Sequence, residues 1–155
     1  MRWSMGLLGA KSAEDYTIPV DTRFFLGGGT DVRGWRPFAL GPYRCQDNVV
    51  CEEDGIQLSD ETIPTGGRLR MFTNFEYRYY TTGGYGIVVF ADSGRVWQKI
   101  KKFDLGSLQT TIGIGLRYKS SIGPFRFDIA YRLGDNSYFR QEPKWAWHIA
   151  LYELF

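Results

Sequence analysis

An all-β fold, a transmembrane antiparallel β-barrel, is what this sequence predicts, and three observations predict it. Six segments carry apolar side chains on every second residue, the period of a strand rather than of a helix. Aromatic residues make up 17% of the chain and glycine supplies 19 of its 155 residues, which suits tight turns and aromatic girdles at two membrane interfaces. The connections between the segments alternate strictly between long and short, as in a barrel with short turns at one membrane face and longer loops at the other.

Taken in order, Arg2–Ala10 places Trp3, Met5 and Leu7 on one face. Arg68–Tyr79 sets Leu69, Met71, Thr73, Phe75, Tyr77 and Tyr79 against Arg68, Arg70, Phe72, Asn74, Glu76 and Arg78. Tyr85–Trp97 is apolar on both faces around Ile87–Phe90, but alternation groups Asp92 with Gly86, Val88 and Phe90. In Thr111–Lys119 the apolar set is Ile112, Ile114, Leu116 and Tyr118, opposed by Thr111, Gly113, Gly115, Arg117 and Lys119. Phe125–Arg132 alternates most cleanly, with Phe125, Phe127, Ile129 and Tyr131 opposite Arg126, Asp128, Ala130 and Arg132. Lys144–Phe155 gathers Trp145, Trp147, Ile149, Leu151 and Phe155, with Glu153 an exception on that face.

The second face mixes charges of both signs with glycine, which suits a barrel lumen better than the solvated face of a sandwich. The joining segments are Lys11–Gly67, Thr81–Gly84, Gln98–Leu108, Ser120–Gly123 and Gly134–Pro143. Their alternation puts both the C-terminus and the start of the first strand on the short-turn, periplasmic side. Six strands are too few to close such a barrel, since known ones start at about eight, so either the chain is part of a larger barrel or several chains close one together. No charged segment followed by an apolar one opens the chain, so an exported chain of this kind is expected to be the C-terminal part of a longer barrel.

Composition excludes several functions. The net charge of +2 supports no nucleic-acid partner. Mean hydropathy is −0.30, and the longest apolar runs stop well short of the roughly 18 residues of a membrane helix. Gly27–Gly29 precedes no Gly-Lys-Ser/Thr, so it is no phosphate-binding loop. His148, the single histidine, has no nucleophile assignable to it, and one His with two Cys falls short of a zinc site. No catalytic residue, cofactor or metal is expected. Cys45 and Cys51 lie close together in a polar stretch and could form a loop disulfide in an oxidising compartment.

The segment Arg23-Phe24-Phe25-Leu26-Gly27-Gly28-Gly29-Thr30-Asp31-Val32-Arg33-Gly34-Trp35 resembles the signature loop of the BamA/TamA superfamily of outer-membrane assembly proteins, the bacterial surface antigen barrels. Further matches follow in order: Gly66-Gly67, Asn74-Phe75-Glu76-Tyr77, Phe90-Ala91-Asp92-Ser93-Gly94-Arg95-Val96-Trp97, Gly115-Leu116-Arg117-Tyr118, and Ser121 to Ala130. Each is weak alone; the ordered set, from Arg23 to the terminal aromatic Phe155, is specific. The form of the loop, with Leu40-Gly41-Pro42 after it, looks closest to the TamA-like branch.

The resemblance implies the last six strands of a sixteen-stranded barrel in the bacterial outer membrane, with residues 11–67 as the signature loop folded back inward. In that loop Gly27, Gly28, Val32, Arg33, Gly34 and Trp35 match the signature, and Arg33 is expected to contact the lumen acids Glu76 and Asp92. The C-terminal strand, with Trp147, Ile149, Leu151 and Phe155, would serve as sorting signal and as an edge that templates an incoming strand. The implied function is insertion or translocation of polypeptides at the outer membrane. Its partners would be outer-membrane lipid, unfolded outer-membrane or secreted polypeptides, and periplasmic domains or accessory proteins. A two-partner secretion transporter of the same superfamily and a passive porin-like channel are the alternatives.

Overall fold

The computed structural model describes residues 2–7, 19–44, 50–51, 63–120, 123–133 and 143–151. In chain order its strands are β1 (Arg2–Leu7), β2 (Tyr43–Arg44), β3 (Val50–Cys51), β4 (Ile63–Pro64), β5 (Leu69–Tyr80), β6 (Tyr85–Trp97), β7 (Gln109–Ser120), β8 (Gly123–Leu133) and β9 (Trp145–Leu151). Six of them form one sheet in the order β1-β5-β6-β7-β8-β9, and a second sheet has the order β3-β2-β4. All pairs are antiparallel. The six long strands are the six alternating segments, with ends shifted by one or two residues; residues 8–10 and 152–155 lie outside the described residues.

Pairing runs without a break from Leu69↔Trp97 to Tyr80↔Gly86 and from Thr110↔Leu133 to Ser120↔Gly123. An unbroken register keeps the two faces separate along each strand, because a one-residue slip would exchange them. Strands β5 to β7 have 12, 13 and 12 residues. At roughly 3.3 Å per residue and a tilt of roughly 40°, that length crosses about 30 Å, a bilayer's hydrocarbon core. No helix among the described residues is long and apolar enough to cross a membrane.

Burial along the strands is inverted relative to a water-soluble sheet. Ile87, Val89, Ile112, Ile114, Leu116, Ile129, Ile149 and Leu151 are exposed, whereas Asp92, Thr111, Arg117, Asp128 and Arg132 are buried. Exposed tyrosines gather at the tight-turn end, where Tyr85 stacks on Tyr118 at 4.6 Å between ring centroids. Toward the opposite end Tyr131 packs on Trp145 at 4.7 Å. These are two aromatic belts with aliphatic side chains between them.

Two features depart from the sequence reading. Leu69 and Trp97 have outward parity yet are buried. They face each other in the ladder, and the β6–β7 connection folds back over this end, with Phe103 edge-on to Trp97 at 5.1 Å and Ser107 Oγ accepting from Trp97 Nε1. The segment 11–67, read as a loop, contributes the short strands β2 to β4. Two-residue strands are too brief to show a period of two.

The chain's main apolar core is on the inward side. Leu26, Val32, Trp35, Ala39, Leu40 and Tyr43 from the long connection pack with Phe72 of β5 and Val96 of β6. The long connection therefore brings its own hydrophobic stuffing to a wall that is largely polar.

Candidate functional site

The long connection is pinned to the sheet before it turns inward. Phe24 and Gly67 exchange backbone hydrogen bonds, each at 2.9 Å. The returning chain closes through Leu40 N–H to Leu26 O at 3.0 Å, and Val96 N–H of β6 donates to Leu40 O at 3.1 Å. Between these clamps Gly27 and Gly28 take φ of +114° and +105°, a region that glycine enters without steric cost. Gly34, at φ +92°, is pressed to the wall: a Cβ there would stand 3.1 Å from Thr111 Cγ2 and 3.2 Å from Ala130 Cβ.

That close approach delivers Arg33, only 1% exposed, onto three carboxylates. Its Nε and Nη2 donate to Asp92 Oδ2 and Oδ1 at 2.6 and 2.8 Å. Nη1 donates to Glu76 Oε1 at 2.5 Å and lies 3.4 Å from Asp128 Oδ2. The Arg33 backbone N–H adds a bond to Asp92 Oδ2 at 3.1 Å. The guanidinium plane covers the Phe90 ring, 3.4 Å from its centroid. A planar fork satisfies a carboxylate in two-pronged fashion and stacks on an aromatic at the same time, which a lysine ammonium cannot do. Burial alone would lower the Arg33 pKa; the bond to Asp92 and the charges of Asp92, Glu76 and Asp128 outweigh it and hold the group above the ordinary arginine value.

The structure thus brings together Arg33, Glu76 and Asp92, and it adds residues that sequence reasoning missed. Asp128 stands on the inward face of β8, as alternation predicts, and joins the cluster. It accepts from Arg117 Nη1 at 2.5 Å and from Arg126 Nε at 2.6 Å. Arg126 also donates to Gly29 O at 2.7 Å, and Arg132 Nε to Gly34 O at 2.5 Å, while the Arg132 guanidinium lies 4.3 Å from the Trp35 ring centroid. Asn74 Nδ2 donates to Asp92 Oδ1. His148 Nε2 accepts from Gly34 N–H at 2.9 Å. Each of these polar residues stands on the inward parity of its strand, so the alternation contained a signal; which of them meet the tip depended on the loop's path. On β7, a side chain at Gly113 would collide with the Phe90 ring, and one at Gly115 with the Asp128 carboxylate. Those glycines leave room for the cluster.

The remaining sequence-selected residues fall into three groups. Val32 and Trp35 are fully buried in the core. Trp147, Ile149 and Leu151 are exposed on the outward face of β9. Phe155 and Cys45 lie outside the described residues, as does the Cys51 side chain, so the pairing of the two cysteines falls there too. Among the described residues no group of His, Cys, Asp or Glu could hold a metal ion. The arrangement is one for holding a loop: Arg33 and Gly34 meet the wall through ion pairs, hydrogen bonds and close packing.

A lipid-exposed antiparallel sheet whose inward face captures a glycine-rich loop through a buried arginine defines the class: a membrane β-barrel with an inserted plug-like loop. The Omp85 superfamily domain matches residues 1–151. The chain belongs to that superfamily. Among solved structures, BamA from Haemophilus ducreyi lacking POTRA domains 1–3 is similar in fold, with a TM-score of 0.60 at 18% identity. The match covers 84% of this chain and 27% of that one, so the chain spans about a quarter of its length.

Proposed function

We propose that this chain is the C-terminal part of an outer-membrane barrel that inserts or translocates polypeptides, without enzymatic chemistry of its own. The observation that carries this reading is the tip at residues 29–35, which contacts β5, β6, β7, β8 and β9 at once. A passive porin keeps a water-filled lumen, whereas here the inward face of five strands is committed to a docked loop. Membership of the Omp85 superfamily and the fold shared with BamA support assembly or translocation as the task. The sequence of the tip and Leu40-Gly41-Pro42 favour the TamA-like branch. The expected surroundings are outer-membrane lipid at the exposed apolar face and an unfolded polypeptide at β9, whose edge would add an incoming strand by backbone pairing. Periplasmic domains or accessory proteins would deliver that client.

The test is reconstitution of the full-length protein in lipid vesicles with a urea-unfolded outer-membrane β-barrel as client. Faster client folding than in empty vesicles, lost in Arg33→Ala, is the expected result. Equal folding rates in both vesicles, or a large and stable single-channel conductance with no effect on client folding, would overturn the reading. Release of a secreted polypeptide without insertion would transfer it to the two-partner secretion branch.

A further inference from the structure

Strand β9 is held laterally by its ladder to β8, from Phe125↔Leu151 to Tyr131↔Trp145. Its inward parity carries Ala146, His148 and Ala150, and of these the imidazole has the reach and chemistry to engage the tip. His148 Nε2 stands 2.9 Å from Gly34 N. The ring also lies along the backbone of Gly29, where a Cβ would be 3.5 Å from Nδ1. We propose that His148 is a positioning residue, a tether that joins the tip of the signature loop to the C-terminal edge strand and opens when its imidazole is protonated.

The chemistry follows from the donor. A backbone N–H can only donate, so Nε2 must present its lone pair and the ring proton sits on Nδ1. Protonation of Nε2 would set two donors face to face, and the bond is lost. The charges facing the ring come from three elements. Asp128, opposite His148 in the β8 ladder, and Arg126 stand on β8, Asp92 on β6 and Arg33 on the tip. Arg33 already binds β5, β6 and β8. The Gly34–His148 bond extends the same tip to β9, so loop docking and edge-strand order form one cooperative unit. The link from this unit to client entry rests on the function proposed above; the tether itself does not.

Amide hydrogen exchange on the full-length protein in lipid vesicles tests it directly, because exchange reads local opening independently of any client. The segments followed are 29–35 and 145–151, at pH 7.5 and pH 5, corrected for intrinsic exchange. Wild type should exchange about tenfold faster at pH 5 in both segments, the size expected for one lost hydrogen bond. His148→Leu, which has no acceptor, should exchange about tenfold faster at both pH values. His148→Gln keeps an acceptor that does not titrate and should stay slow at both. Exchange in His148→Leu equal to wild type at pH 7.5 would overturn the tether. So would a pH response in His148→Gln as large as that of wild type. If His148→Leu does not reach the heat-modifiable folded form, the wild-type and His148→Gln pair alone decides. Loss of client folding with the exchange pattern intact would count against the proposed function and leave the tether standing.

Discussion

The two faces of β6 to β8 run side by side along the same backbone and obey opposite rules. On the outer face Ile87, Val89, Ile112, Ile114, Leu116 and Ile129 are exposed; on the inner face Asp92, Thr111, Arg117, Asp128 and Arg132 are buried. In water the outer face would carry the core and the inner face the solvent contacts. The reversal follows from the solvent on each side. Lipid tails give aliphatic side chains nothing to escape from, while the lumen wall finds its partners in a loop whose tip brings the Arg33 guanidinium and a wedge of apolar side chains. The outer face thus demands only apolarity, with many residues equivalent. The inner face demands particular partners at particular positions.

The largest expected effect breaks the inner rule. Arg33→Ala leaves Glu76, Asp92 and Asp128 without their shared cation, and loss of one partner of a buried pair typically costs about 3–5 kcal/mol. Urea unfolding in vesicles should show that loss. Asp92→Ala in the same background should add less than it does alone, because the two share one interaction. Equal effects in both backgrounds would mean that the contact does not hold the loop. Breaking the outer rule comes next. Val89→Arg, near the middle of the exposed band, should cost about 2–4 kcal/mol in a bilayer. A folding titration that shows no penalty in lipid would place that face in water.

Two smaller changes sharpen the contrast. Gly34→Ala strains a positive φ and crowds Thr111 and Ala130, for an expected loss of about 1–3 kcal/mol. It should appear as faster protease cleavage in the loop before the strands unfold. Tyr118→Ala removes the stack on Tyr85 at the outer belt and should cost about 1 kcal/mol, read as a modest shift of the unfolding midpoint. A loss in Tyr118→Ala larger than that in Gly34→Ala would reverse the order of these two changes.

Much of this was legible in the residues because a strand's period of two is local. Glu76, Asp92, Asp128 and His148 could each be placed on an inward face from their neighbours alone, and Arg33 could be paired with Glu76 and Asp92 from the resemblance its loop carries. The burial of Leu69 and Trp97 could not be read, since it depends on where the β6–β7 connection folds back. Nor could the part taken by Asp128, Arg126, Arg132 and His148 in holding the tip. Parity says which way a side chain points and nothing about what arrives opposite it.

By itself, then, the sequence determined six strands, their two faces and the presence of a glycine-rich loop with Arg33 near its tip. Alternation and turn spacing are properties of neighbouring residues, and they survive without knowledge of the fold. Only the tertiary structure decided that residue 33 of that loop also meets a side chain 95 positions further along, and that its neighbour Gly34 reaches 114 positions on to the last described strand. Those meetings depend on the sheet's register and curvature, which bring distant inward residues to one level, and no local pattern encodes them.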